Sequence, residues 1–379
     1  MPIRPFLASL LCLGLGLTLA CGGGGSSSPA PTGNLTLRLG ADSFPGYSQA
    51  VVSLEKVEAS GDGVTWIPLG NVKASFDLMA LQNGHSAVIL PASRVNAVTY
   101  AQFRLTWATV NYQSGQYQPA YVTFNGSSGQ ALSMPITTVI AGPVSVPANG
   151  NATAQIMLAG QQAVQSRTNG ATTFQATGRA YDLASSASIT GHLGDGTTPL
   201  AGVEVFAETV DGLGAAAIQR RAFTDASGNY LLEGLPTGNL YFVAAQPAGL
   251  TSAYAAAAAA PVNATTATAY TANLAFSAPQ VPGSLTLTLT PASTTTQGTW
   301  GELRQALATG AAGSQTLIVR SQTVVSSVAQ DQATFLGLAP GTFGVTAQRS
   351  NAGATPASKT GTQVLVSTGA TATTTLSFP

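Results

Sequence analysis

Leu285-Thr286-Leu287-Thr288-Leu289-Thr290 alternates apolar and hydroxylated side chains without a break, and Leu35-Thr36-Leu37-Arg38-Leu39 does the same near the other end of the chain. A period of two sends successive side chains to opposite faces of a strand, so each stretch reads as a strand with one buried and one polar face. Working outward, such runs are divided by turn clusters: Gly61-Asp-Gly63, Gln82-Asn-Gly84, Asp195-Gly196, Asp211-Gly212 and Ser227-Gly-Asn229. Short strands between frequent turns predict an all-β protein made of tandem antiparallel β-sandwich modules. Helical character is confined to Ala255–Ala260, closed by Pro261, and to Trp300–Leu307, long enough for about two turns.

The chain has 379 residues, enough for two to three domains at roughly 150 residues each. Only 7% of residues are charged, and 14 basic side chains balance 14 acidic ones. Such a chain lacks the surplus of Lys and Arg that phosphate backbones demand, so no nucleic-acid partner is expected.

Met1 to Ala20 carries Arg4 ahead of an apolar run from Phe6 to Ala20, which reads as a secretory signal peptide. That run is too short to span a bilayer comfortably. Leu17-Thr-Leu-Ala-Cys21 resembles the lipobox of bacterial lipoproteins, which implies acylation of Cys21 and a membrane partner held through that lipid. Residues 21–33, rich in Gly, Ser and Pro, read as a flexible tether. Gly22 follows the cysteine where the lipoprotein family uses Asp for inner-membrane retention, so the resemblance implies the outer membrane. Cys12 leaves with the signal, and the 359 remaining residues (379 − 20) hold no second cysteine, hence no disulfide or thiolate site.

The exported part reads as three modules, 34–182, 187–277 and 282–379. Gly234-Leu-Pro-Thr-Gly238 with Leu240, Phe242 and Ala244 lines up with Gly337-Leu-Ala-Pro-Gly341 with Phe343, Val345 and Ala347 at a constant offset of 103 residues. In the middle module, Ser188-Ile-Thr-Gly191, Pro199-Leu-Ala-Gly-Val-Glu-Val205, Thr224-Asp-Ala-Ser-Gly-Asn-Tyr230 and Gly234-Leu-Pro-Thr-Gly238 resemble the carboxypeptidase regulatory-like domain. That resemblance implies a small transthyretin-like sandwich without catalysis. The third module is weakly similar to the second. In the first, Asn34-Leu-Thr-Leu37, Val51-Val-Ser-Leu-Glu-Lys-Val57, Trp66, Phe76-Asp-Leu-Met-Ala-Leu-Gln-Asn-Gly84 and Tyr100-Ala-Gln-Phe-Arg-Leu105 resemble the bacterial lipoprotein family called domain of unknown function 4382.

Constellations able to supply acid, base and nucleophile together are scarce. The two histidines, His85 and His192, sit in different modules, and His85 follows the Asn83-Gly84 turn as a surface residue would. No catalytic, cofactor or metal site is expected. Asp225 reads as an Asx-turn residue, with Gly228 supplying a positive φ, because its glycine spacing does not suit a calcium loop. Glu204 and Glu208 are read as neighbours on one solvated sheet face. Asp77 and Arg104 are read as a pair joining two strands, with a ligand role for Arg104 as the alternative. Phe103, Leu105 and Trp107 share one strand face, and Tyr100, Gln102, Arg104 and Thr106 the other.

Tyr112 and Tyr117, set among Asn111, Gln113, Gln116 and Gln118, are the candidate ligand contacts together with Arg104. Uncharged amides and aromatic faces suit a neutral glycan or a peptide. The expected function is therefore a lipid-anchored envelope or surface protein whose sandwiches serve as spacer and binding or adhesive unit. The alternatives are an accessory subunit or hydrolase with chemistry in the first module, or a structural component of a surface assembly.

Overall fold

The computed structural model describes residues 30–42, 44, 47–113, 120–124, 129–166, 172–174, 176–248, 252–292, 299–326, 331–351 and 354–379. The signal peptide, Cys21, most of the tether and Tyr117 lie outside the described residues. Residues 31 to 379 form one compact unit; strands are the dominant regular structure of the described part, which has one short α-helical turn at Gly160–Ala163 and 3-10 turns at Leu78–Leu81, Leu183–Ser185 and Gly310–Ala312. No helix among the described residues is long and apolar enough to cross a membrane.

The strands drawn from Thr32–Asp182 form one large curled sheet. Its central run pairs Tyr47–Ser60, Thr99–Trp107, Thr137–Ser145, Gly178–Asp182, Asn151–Leu158, Thr32–Ala41 and Ala87–Asn96 in that order. Leu35, Leu37 and Leu39 are all fully buried in its core, facing a cluster that includes Val52, Leu54, Phe103, Leu105 and Ile156. Each such leucine contributes about 2 kcal/mol by leaving water, so the alternation read from sequence has a direct energetic meaning.

Two further sandwiches follow with matching strand order. In the second, Ser186–Gly194 lies between Asn229–Pro236 and Ala269–Thr271, opposite a sheet ordered Ala216–Phe223, Glu204–Val210, Asn239–Ala245, Ala257–Ala258. In the third, Gly283–Thr290 lies between Asp331–Leu338 and Thr371–Ser377, opposite Ser314–Thr323, Thr299–Ala308, Gly341–Asn351, Ala354–Thr360. Antiparallel pairing dominates, but the first and last strands of each are parallel, Ser188 beside Ala269 and Ser284 beside Thr371.

The repeat is real, and its register differs from the sequence alignment by one residue. Gly234 and Gly337 both sit at positive φ, +68° and +69°, where the pairing of the two flanking strands slips. Beyond that shared bulge the equivalent core residues are Tyr241, Val243 and Ala245 against Phe343, Val345 and Ala347, all fully buried. The turn of the middle module is thus one residue longer, and Leu240, aligned with Phe343 at offset 103, is 44% exposed. Sequence alignment cannot place a one-residue slip where a turn changes length, and in a strand that slip exchanges the faces.

Trp300–Leu307 is strand, not helix, being part of Thr299–Ala308. Pairing with both neighbours satisfies its backbone, and Leu303 and Leu307 enter the core. Ala257–Ala258, inside the alanine run, likewise pairs with Ala244 and Ala245. Tertiary pairing overrides a local helix propensity worth only tenths of a kcal/mol per residue.

Candidate functional site

The strand Tyr47–Ser60 carries the candidate surface of the first module. Its residues Val52, Leu54, Val57 and Ala59 face the core, while Glu55 and Glu58 hold the two sequence-predicted contacts that are described. On the neighbouring strand, Phe103, Leu105 and Trp107 point inward as expected, and Arg104 points outward beside its cross-strand partner Glu58. Arg104 Nε donates to Glu58 Oε2 at 2.8 Å, Lys56 Nζ lies 3.4 Å from Glu58 Oε1, and the Arg104 guanidinium sits 4.4 Å over the ring of Trp66. The Arg104 hydrogen bond holds the Glu58 carboxyl below the usual carboxylate range.

Arg104 is therefore not paired with Asp77. Asp77 instead caps the 3-10 turn Leu78–Leu81, with its Oδ1 accepting from Met79 N at 3.0 Å and from Ala50 N at 3.1 Å. The two residues lie on different strands: Asp77 is taken up by backbone N–H groups, and Arg104 meets Glu58 across a strand pair, 46 residues away in the chain. Tyr100 also departs from the expected face. A bulge between Tyr100 and Gln102 turns its ring into the core, fully buried and 6.4 Å from Phe103.

Tyr112 is half-buried. Its hydroxyl donates to Glu55 Oε2, and that bond pushes the phenol pKa up. Lys73 Nζ lies 4.0 Å from the same carboxylate. The Tyr112 backbone N–H donates to Ser75 Oγ at 2.9 Å, and Ser75 is linked to Ser53 at 2.6 Å and Asn111 at 3.2 Å. Arg104, Trp66 and Tyr112 thus line the outer side of one long strand, amid polar groups and with aromatic surface still reachable. Trp66 had no separate signal in the sequence beyond its place in a family-like stretch, because its loop position follows no period.

The remaining acids are engaged in structure. Asp225 Oδ1 accepts from Ser227 N at 2.9 Å and Asn229 N at 2.8 Å, with Gly228 at φ +75°; these bonds hold its carboxyl below the usual range. Asp62, Asp195 and Asp211 close turns in the same way. His85 is exposed beside the turn at Asn83 and Gly84, whose φ angles are +56° and +82°. His192 is exposed on the second module. Among the described residues no group of three His, Cys, Asp or Glu side chains is arranged to hold a metal.

Glu204 and Glu208 share a face, but that face is not solvated. Phe206 and Phe242 lie on it too, and the sheet is covered by the third module's edge strand Ser314–Thr323. Glu208 is fully buried. Its Oε2 accepts from Ile318 N at 2.9 Å, an N–H on an edge strand, while its Oε1 has no partner among the described residues. Burial pushes its pKa up to about 8. Glu204 lies 3.5 Å from Arg221, which reaches Ser321 at 3.1 Å. The apolar neighbours Phe206 and Phe242 were the signal for a covered face, because two exposed phenylalanines beside two carboxylates would be costly.

The first and second modules are locked by similar means. Arg220, 6% exposed, donates to the carbonyls of Glu233 at 2.7 Å and Gly234 at 3.2 Å, and its guanidinium lies 5.0 Å from the Tyr181 ring. Asn83 Oδ1 accepts from Phe223 N at 2.7 Å. Asp42, half-buried nearby, has its pKa pushed up to about 6 by desolvation, which Arg220 and Arg221 partly offset.

Solved structures similar to this chain include the Bacillus anthracis TIE protein, 10% identical, with a TM-score of 0.18 over 92% of this chain and 50% of that one. A streptococcal ancillary pilin is 11% identical, with a TM-score of 0.21 over 90% of this chain and 98% of that one. The fimbrial anchor protein Mfa2 from Porphyromonas gingivalis is 11% identical, with a TM-score of 0.19 over 42% of this chain and 77% of that one. The chain spans half the length of the first of these. Likeness at this level carries no statement about activity. No curated protein sequence matches the chain. Residues 32–176 match the model of the family described as domain of unknown function (DUF4382), a stretch that takes in most of the first module, Trp66 and Arg104 included.

Proposed function

We propose that the protein is a non-catalytic surface component, anchored through a lipid on Cys21 to the outer membrane, whose sandwiches hold a binding face at a set distance from the lipid. The observation that carries this reading is how the few charges are used. Six aspartates serve turns and short helical caps. Glu58, Glu204, Glu302 and Asp331 pair with Arg104, Arg221, Arg304 and Arg349, and Arg220 and Glu208 lie at the module junctions. Charges spent on closing turns, pairing across strands and bracing module junctions suit a spacer rather than a catalyst. The middle module is read as a carboxypeptidase regulatory-like domain and the third as its diverged repeat, supported by the shared strand order and bulge.

The binding face is the aromatic surface of the first module, with Trp66, Arg104 and Tyr112 as contacts for a neutral glycan or peptide, and Tyr117, outside the described residues, as a further contact read from the sequence. Anchoring and binding are tested together in cells grown with a fatty-acid probe and in arrays probed with the full chain. Wild type is expected to be labelled and recovered with membranes, and Cys21→Ser to be neither. Tyr112→Ala with Tyr117→Ala is expected to abolish array binding with little change in unfolding midpoint. Equal labelling of both proteins overturns the anchor, and binding untouched by the tyrosine changes overturns the face.

A further inference from the structure

Between the second and third modules lies a cavity of about 330 Å³, within the size range of small-ligand pockets. Leu200, Val203, Phe223 and Tyr254 give it apolar walls, and its polar lining includes Gln246 and Glu204 from the second module and Arg320, Ser321 and Gln322 from the third. Gln246 is 3% exposed, yet among the described residues neither its amide oxygen nor its amide nitrogen has a hydrogen-bond partner. Buried amides in native proteins are almost always paired, so an amide with both ends open asks what completes it. Its terminal torsions allow the group to turn toward the cavity it borders.

Arg320 is the second open group. Among the described residues no side chain or carbonyl takes a hydrogen bond from it, and its electrostatic partner is Glu204, whose carboxylate lies 3.5 Å from Arg221. Arg221 and Arg320 both flank Glu204, and burial pushes the Arg320 pKa down. An open amide offers one donor edge and one acceptor, the complement of a peptide group. A guanidinium offers paired N–H groups to a carboxylate.

We propose that this junction cavity binds a carboxylate adjoining an amide and an apolar side chain, the chemistry shared by a peptide C-terminus and an N-acyl amino acid. The carboxylate sits on Arg320, the amide on Gln246, and the side chain against Leu200, Val203 and Phe223. This site involves none of the first-module residues assigned above and stands whether or not that face binds. Because its walls come from two modules, an occupant also ties them together.

The test is calorimetric titration and thermal unfolding of the full chain with acetyl-alanyl-leucine, acetyl-leucine and acetyl-alanyl-leucine amide. The free acids are expected to saturate and raise the midpoint, with the amide at least about tenfold weaker for want of the charge-assisted bonds. Binding of both acids identifies the N-acyl amino acid as sufficient, and binding of the dipeptide alone identifies a peptide terminus. Arg320→Gln is expected to remove the preference for acid over amide. Gln246→Leu is expected to raise the midpoint of the empty protein while losing binding, a combination that a merely structural residue would not give. No saturation with either acid at millimolar concentration, or binding indifferent to both substitutions, overturns the proposal.

Discussion

Replacing Glu208 with Gln tests the junction of the second and third sandwiches through its pH response. The amide keeps an oxygen for Ile318 N, now held by Glu208 Oε2 at 2.9 Å, and removes the titration. In the native state burial raises the carboxyl from 4.5 to about 8. Between those values the folded protein keeps a proton that the unfolded chain has released. Stability from this group is therefore full below pH 4.5, falls as pH rises, and levels off above about 8. At about 1.4 kcal/mol per pH unit, wild type loses about 2–4 kcal/mol from pH 5 to pH 9 that the Gln variant retains. Urea unfolding followed by tryptophan fluorescence at several pH values measures both proteins, and Trp300 reports from the third module near the junction. Their difference isolates Glu208 from Asp42 and Glu233, whose raised pKa values give the same sign of slope in both proteins. Parallel stability profiles for the two proteins across this range would refute the reasoning, because Glu208 would then be solvated in the native state.

Gly234→Ala places a Cβ 2.1 Å from the Tyr181 ring at φ +68° and should cost about 2–4 kcal/mol, whereas Gly238→Ala, at φ +82° with nothing within 4 Å, should cost about 1; equal losses in denaturant would mean that Tyr181 does not press on the bulge. Arg104→Ala should lower stability at neutral pH only modestly, since Lys56 remains 3.4 Å from Glu58. The Arg104 bond lowers the Glu58 pKa, so its contribution is present above pH 4.5 and fades as acid protonates the carboxyl. Acid titration of both proteins should accordingly show stabilities that converge at low pH, with a change in Trp66 emission on substitution; a constant gap down to low pH would assign the loss to packing instead.

The sequence by itself determined the local pattern. Alternation marked Leu35, Leu37, Leu39, Leu285, Leu287 and Leu289 as core because a strand's faces alternate whatever surrounds it. Asp225 and Gly228 announced their turn because an Asx-turn is closed by its own backbone. Cys21 and Tyr117 rest on sequence alone, lying outside the described residues. Tertiary structure decided whatever depended on a partner distant in the chain. The bulge at Tyr100 moved a ring from the outer face to the core, and one extra turn residue shifted the repeat by a strand position, because alternation carries no absolute register. Strand pairing overrode the helical character of Trp300–Leu307. Glu58, not Asp77, became the partner of Arg104, and Glu204 and Glu208 were covered by a strand more than 100 residues away. A carboxylate in a strand carries no local mark of whether water or another module will meet it, since the cost of its burial is set by the surface that arrives.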